Sequence, residues 1–226
     1  MKPHTPPLIL YFIASFLCVL FYSLNLDNWV IYPKAAVLPS IFYYYYINNN
    51  HKITVDKAAV FILSFIADMY ILMGFDSSFI VAECCVVMVY LIIIRYVIKD
   101  FVTSKLRKKD AIPIAVALIF ITYLLVTMMT LDFMNERRFF FLFLFHGVVL
   151  AVMGKLAIVN YIAKGSRQTI SSVLMWTCFA LSDIFYMLYH FYLPIYIFEL
   201  INISAQVLCY FFIVRYFLRT DHMVNS

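Results

Sequence analysis

Glycine is nearly missing from this chain. Only four occur in 226 residues, at positions 74, 147, 154 and 165, so neither a phosphate-cradling glycine loop nor a dinucleotide fingerprint can be written anywhere. Nucleotide chemistry is therefore not expected. Charge is scarce as well, at 13% of residues, where soluble domains carry about a quarter. A soluble enzyme, a nucleic-acid reader and a disulfide scaffold all drop out on that ground. The five cysteines (Cys18, Cys84, Cys85, Cys178, Cys209) sit in apolar runs without a C-x-x-C spacing, and read as small packing residues. The five histidines (His4, His51, His146, His190, His222) form no H-x-x-x-H or H-E-x-x-H pattern. No metal and no cofactor are expected.

What the chain has instead is apolar sequence: 65% hydrophobic residues, 19% aromatic, and a mean hydropathy of +0.94. A spanning helix needs about 20 mostly apolar residues, so a chain of this length holds about eight spans and no separate soluble domain. The expected fold is an all-α, polytopic membrane bundle, one transmembrane domain over residues 1–226. Apolar runs broken by charge or turn residues place the spans near 7–25, 29–46, 57–74, 77–98, 111–131, 139–162, 169–191 and 195–217. The first has no small-x-small cleavage site before Tyr22 and Leu26 and is read as a retained helix.

Basic residues then orient the bundle. With eight spans both termini share one side, and thirteen of the 17 lysines and arginines fall there. Only Arg137 and Arg138 fall on the other, with Lys34 and Lys155 inside spans. The positive-inside rule places both termini in the cytoplasm, in the inner membrane of a bacterium or the endoplasmic reticulum membrane of a eukaryote. The basic cluster Lys105 to Lys109 and the net charge of +5 follow from the same asymmetry. No retrieval or lipidation signal is recognised in Asp221 to Ser226.

The informative residues are the charges that remain inside the apolar runs: Lys34, Asp68, Glu83, Lys155, Asp183 and Glu199. Each costs about 2.5 to 3.5 kcal/mol at a helix centre, so such groups face a bundle interior or a wet cavity and mark function. At about 1.5 Å per residue, Lys34, Asp68, Glu83, Asp183 and Glu199 all lie one to two turns below the non-cytoplasmic ends of their spans, with His146 at similar depth. Lys155 lies nearer the cytoplasmic end, where it can snorkel. Helical spacing extends the pattern. Ser172, Trp176, Phe179, Asp183, Tyr186 and His190 form one stripe; Glu199, Asn202, Gln206 and Tyr210 form another; Lys57, Ser64 and Asp68 form a third. A common polar cavity is expected, although Lys34 or His146 paired with a carboxylate would also serve as interhelical glue.

The two halves echo each other. Span three reads SFIADMYIL and span seven FALSDIFYML, and a Glu follows in the next span after 15 residues (Glu83) or 16 (Glu199). Four spans per half make this a parallel repeat.

The same residues resemble a known family. Pro33 and Lys34 in the second span, Ala67 and Asp68 in the third, Tyr123 and Met128 in the fifth, Phe179 to Asp183 in the seventh and Ala205 with Gln206 in the eighth resemble, in order and placement, the YhhN-type lysoplasmalogenases. These are eight-helix membrane proteins, and the resemblance implies hydrolysis of the vinyl ether bond of a lysoplasmalogen, releasing a fatty aldehyde and a glycerophospho-headgroup. The chain departs from the pattern at three places: Ala67 stands where the family has glycine, Val86 and Val87 replace an Ala-His element before Tyr90, and Asn202 and Ile203 precede Ala205 where an aromatic is usual. It reads as a divergent member, with Glu83 in place of the polar group missing from the fourth span.

Vinyl ether hydrolysis needs an acid to protonate carbon, a base for the attacking water, and negative charge beside the oxocarbenium ion. Two carboxyls in different environments supply all three, as in glycosidases. Asp68 and Asp183 are the expected catalytic pair, one donating and the other ionised and oriented by Lys34 or His146; which does which is open. Glu83, Glu199, Asn202 and Gln206 are supporting polar residues. The partners expected are membrane lipids and a lysophospholipid-like substrate, with no nucleic acid and no nucleotide. The Tyr43 to Tyr46 run is expected as an interfacial belt. Two other classes compete: a small proton-coupled carrier using the same groups as a relay, and a noncatalytic membrane partner.

Overall fold

Backbone amides in hydrocarbon find no water, so apolar runs of this length close their hydrogen bonds within helices. A computed structural model describes residues 5–74, 78–102, 107, 110–130 and 140–224. Lys2, Lys105, Lys108, Lys109, Arg137 and Arg138, which weigh in the orientation, lie outside the described residues. Among the described residues there are eight long helices and no strand: α1 (Thr5–Ser23), α2 (Asp27–Asn48), α3 (Val55–Met73), α4 (Ser78–Val102), α5 (Ala111–Thr130), α6 (Phe140–Lys164), α7 (Arg167–Met187) and α8 (Tyr196–Val224). Each expected span corresponds to one of them. Six are long and apolar enough to cross a membrane: α1, α4, α5, α6, α7 and α8. The other two are interrupted by proline or by charge. α2 carries Lys34, two prolines and five tyrosines, and α3 carries Asp56, Lys57 and Asp68.

Local chemistry sets the helix ends. Gly74 closes α3 in the left-handed conformation, at φ 62°, where a β-carbon would be strained. α7 starts with a capping box: the Ser166 hydroxyl accepts from the Thr169 amide while the Thr169 hydroxyl accepts from the Ser166 amide. It runs out through a π-helical turn, Leu188–Tyr192, before Pro194. Pro33 and Pro39 lie inside α2, each removing a ladder hydrogen bond. Next to the second, the Ser40 hydroxyl donates to the Ala36 carbonyl at 2.6 Å, the side-chain back-bonding that bends helices.

The chain divides into two units, residues 1–89 with 210–226, and residues 90–209. In the first, α1 packs on α2 and α2 on α3. Its core is aromatic: the Phe61 ring lies 5.3 Å from Phe42, 5.8 Å from Tyr45 and 6.3 Å from Phe217. The Tyr43 to Tyr46 run is thus split, with Tyr43 exposed and Tyr45 in the core. Beside this cluster Lys57, 2% exposed, pairs with Asp221 of α8, and the Tyr45 hydroxyl donates to the other oxygen of Asp221 at 2.8 Å.

In the second unit α6 packs on both α5 and α7. Gly154 makes the α6–α7 contact close: a β-carbon there would lie 2.1 Å from the Trp176 ring, and the indole N–H donates to the Leu150 carbonyl at 3.0 Å. Residues 90–102 of α4 join them through polar contacts. Asn160 donates to the Val97 carbonyl at 2.9 Å, Lys164 to the Asp100 carbonyl at 2.5 Å, and Gln168 to the Asp100 carboxylate at 3.1 Å.

Candidate functional site

In the first unit the polar stripe of α3 is buried throughout, with Lys57, Ser64 and Asp68 all inside. Asp68 is 2% exposed. A carboxylate there requires donors, and two helices supply them. The Tyr210 hydroxyl of α8 donates to Oδ2 at 2.8 Å, and Lys34 Nζ of α2 stands 3.9 Å from Oδ1. That is an ion-pair separation rather than a direct hydrogen bond. Lys34 is itself 5% exposed, so the two groups share one buried setting.

In the second unit Asp183 of α7 occupies the stripe read from spacing. Tyr90 of α4 donates to its Oδ2 at 2.5 Å, and His146 Nε2 of α6 lies 2.8 Å from the same oxygen. Tyr90 is wedged between rings, edge-on to Phe179 at 4.6 Å and to His146 at 5.2 Å, contacts that fix its orientation. Both donors converge on Oδ2. No further hydrogen bond reaches Asp183 among the described residues, and its side chain keeps 21% exposure, so Oδ1 stands open. Adjacent Ser182 donates to Asn202 Oδ1 at 2.8 Å. Farther along the stripe, Tyr186 stacks on His190 with ring centroids 4.2 Å apart.

The expected site residues therefore assemble as Lys34 with Asp68, His146 with Asp183, and Asn202 beside Asp183 through Ser182. Glu83, Glu199 and Gln206 are half-buried, as is Lys155. Of the two fifth-span residues, Met128 is buried and Tyr123 exposed. Among the described residues no group of three His, Cys, Asp or Glu is arranged to hold a metal ion, and all five cysteines are free thiols.

Sequence reasoning passed over the donors. Tyr90 and Tyr210 satisfy the two aspartates, yet Tyr90 served only as a landmark in span four and Tyr210 only as the end of a stripe. A signal was available: Tyr90 follows Glu83 by seven residues, two turns along one face. Lys57, read both as an orienting charge and as part of the polar stripe of span three, is buried on that stripe, and its partner Asp221 was not foreseen.

Each aspartate thus accepts from a tyrosine and faces a nitrogen base, lysine in one unit and histidine in the other. Only the second arrangement sets a histidine against a carboxylate whose side chain keeps 21% exposure. Compared with known proteins, the chain matches no family model, no curated protein and no solved structure.

Proposed function

We propose that this protein is a membrane-embedded hydrolase that cleaves the vinyl ether bond of a lysoplasmalogen-like, single-chain lipid by carboxylate acid-base catalysis, as a divergent relative of the YhhN-type lysoplasmalogenases. The carrying observation is Asp183, with Oδ2 held by Tyr90 and His146 and Oδ1 open. The reaction adds a proton to the outer vinyl carbon, and water then attacks the oxocarbenium carbon. The hemiacetal collapses to aldehyde and alcohol, and the proton returned by water balances the one spent. Asp183 suits the proton-transfer role because His146 can reload it through the shared hydrogen bond. Asp68, buried beside Lys34 in the first unit, is the second carboxylate of the proposed pair.

The membrane setting supports a lipid substrate. Six helices have spanning length and composition, and α2 and α3 are taken as spans too, since their internal charges are buried within the protein. Eight spans put both termini in the cytoplasm by the positive-inside rule, and the echo between α3 and α7 is read as a four-plus-four parallel repeat. The lipid membranes of an inner membrane or endoplasmic reticulum would supply the substrate, with no cofactor.

Aldehyde release tests this reading, using purified protein with a lysoplasmalogen and with its saturated-ether analogue. Release from the vinyl ether alone, lost in folded Asp183→Asn and Asp68→Asn variants, is the expected result. No release from folded wild-type protein overturns it, and proton-coupled uptake into vesicles that Asp183→Asn abolishes would establish the carrier instead.

A further inference from the structure

One charge of α6 stands apart from every cluster described above. Lys155 is half-buried, and among the described residues its ammonium makes no hydrogen bond, ion pair or ring contact. Its position makes that costly. α6 runs from Phe140 to Lys164 and has spanning length and composition, so Val152 is its midpoint and Lys155 lies about 4.5 Å beyond it at 1.5 Å per residue. A cation this close to the centre of a span is among the costliest residues to insert, and is normally found paired.

Lipid headgroups are poorly placed to pair it. The nearer end of α6 is its C-terminus, about 13.5 Å of helix away, whereas side chains on a helix lean toward the N-terminus. The lysine stem therefore leans toward the middle of the span, against the snorkelling expected from the sequence. The carboxylates of this chain are no better placed. With the eight alternating spans proposed above, the second half of α6 shares its side of the membrane with the second halves of α4 and α8 and the first halves of α3 and α7. Asp68 and Asp183 occupy the second halves of α3 and α7, and Glu83 and Glu199 the first halves of α4 and α8, all on the opposite side. Asp56, Asp100, Asp110 and Asp221 share its side but lie within one turn of a helix end. A second copy inserted in the same direction presents the same set, and so offers Lys155 no described carboxylate at its own depth.

The surface around Lys155 suits a helix. Lys155 continues the stripe of Val148 and Val152, each 42% exposed. The adjoining α5, which packs on α6, has only Ile121 and Met128 buried. Two neighbouring helices thus present an apolar face of spanning height with one cation near its middle.

We propose that this face docks a transmembrane helix of a partner protein, one that carries an aspartate or glutamate near its centre to pair with Lys155. The inference goes beyond the proposed hydrolase, uses none of its site residues and takes from it only the span count. Charge complementarity selects the occupant: a carboxylate at the centre of a partner helix faces the same insertion cost as the lysine, and one contact relieves both.

Designed peptides test it. Fluorescent leucine-alanine helices of about 21 residues, with glutamate or leucine at the centre, are titrated into nanodiscs that hold the labelled full-length protein, and association is read as energy transfer. The glutamate peptide is expected to associate at least fivefold more tightly than the leucine peptide, the fold-change that an interhelical polar contact supplies in a membrane. Lys155→Leu removes that preference and Lys155→Arg keeps it. Val152→Trp, which obstructs the face from an exposed position beside an intact lysine, weakens association, whereas Ile9→Trp on the exposed face of α1 leaves it unchanged. Equal association of the two peptides, or a preference that survives in Lys155→Leu, overturns the proposal. Equal association together with an anionic lipid that co-purifies with the wild type and not with Lys155→Leu overturns it in favour of a lipid headgroup. Aldehyde release is expected to be the same in Lys155→Leu as in the wild type, so failure of the hydrolase reading and failure of the docking face are read separately.

Discussion

The two aspartate settings use the same parts to different ends. Asp68 and Asp183 each take a tyrosine hydroxyl, at 2.8 and 2.5 Å. Beyond that they diverge. Asp68 is sealed at 2% exposure beside a lysine, whereas Asp183 keeps 21% of its side chain exposed beside a histidine. A lysine offers an ammonium donor, while a histidine ring can donate or accept through its nitrogens. The comparison teaches that resemblance between the two stretches of sequence is a poor guide to equivalence of role. What separates them is the third residue and access to the carboxylate, and both are supplied by other helices.

Substitutions can break this contrast. If the second setting carries proton transfer, His146→Gln lowers aldehyde release by about 10² to 10⁴, while thermal unfolding, followed by fluorescence-detected size exclusion, moves little. The mirror change in the first unit strikes stability instead. Lys34→Met leaves Asp68 buried without its cation, a loss of about 3 to 5 kcal/mol read as a lowered melting temperature. Equal effects of both variants on both readouts would erase the distinction.

Smaller changes sharpen it. Tyr210→Phe and Tyr90→Phe each remove a hydrogen bond to a carboxylate, costing about 1.5 to 3 kcal/mol; the first is expected to appear in unfolding and the second in turnover. Gly154→Ala forces a β-carbon against Trp176 and costs about 1 to 3 kcal/mol by overpacking. Retained vinyl-ether specificity at reduced melting temperature would mark it as a packing change in the second unit.

The sequence was legible where physics is local. Hydropathy places each helix within a few residues, because twenty apolar residues in a row have one outcome. The end of α8 is the instructive miss: the apolar run stops near 217, but the helix continues to Val224, since Arg219 and Asp221 interrupt hydropathy without interrupting backbone hydrogen bonds. At the candidate site the aspartates, Lys34 and His146 were readable as expensive residues in apolar surroundings. Their tyrosine donors were not, since 18 tyrosines are spread along the chain and nothing local distinguishes the two that matter. Tyr210 meets Asp68 across 142 residues and Tyr90 meets Asp183 across 93. The partner of Lys57 was hidden in the same way, as Asp221 is 164 residues distant.

The tie between Lys57, Tyr45 and Asp221 bears on how the protein is handled at the bench. Three helices meet at one carboxylate, so α8 acts as a clasp on the far end of α2 and α3. Trimming the chain before Asp221 opens it by removing the carboxylate that Lys57 and Tyr45 share, and the shortened protein is expected to come out of the membrane as aggregate even though every apolar helix is intact.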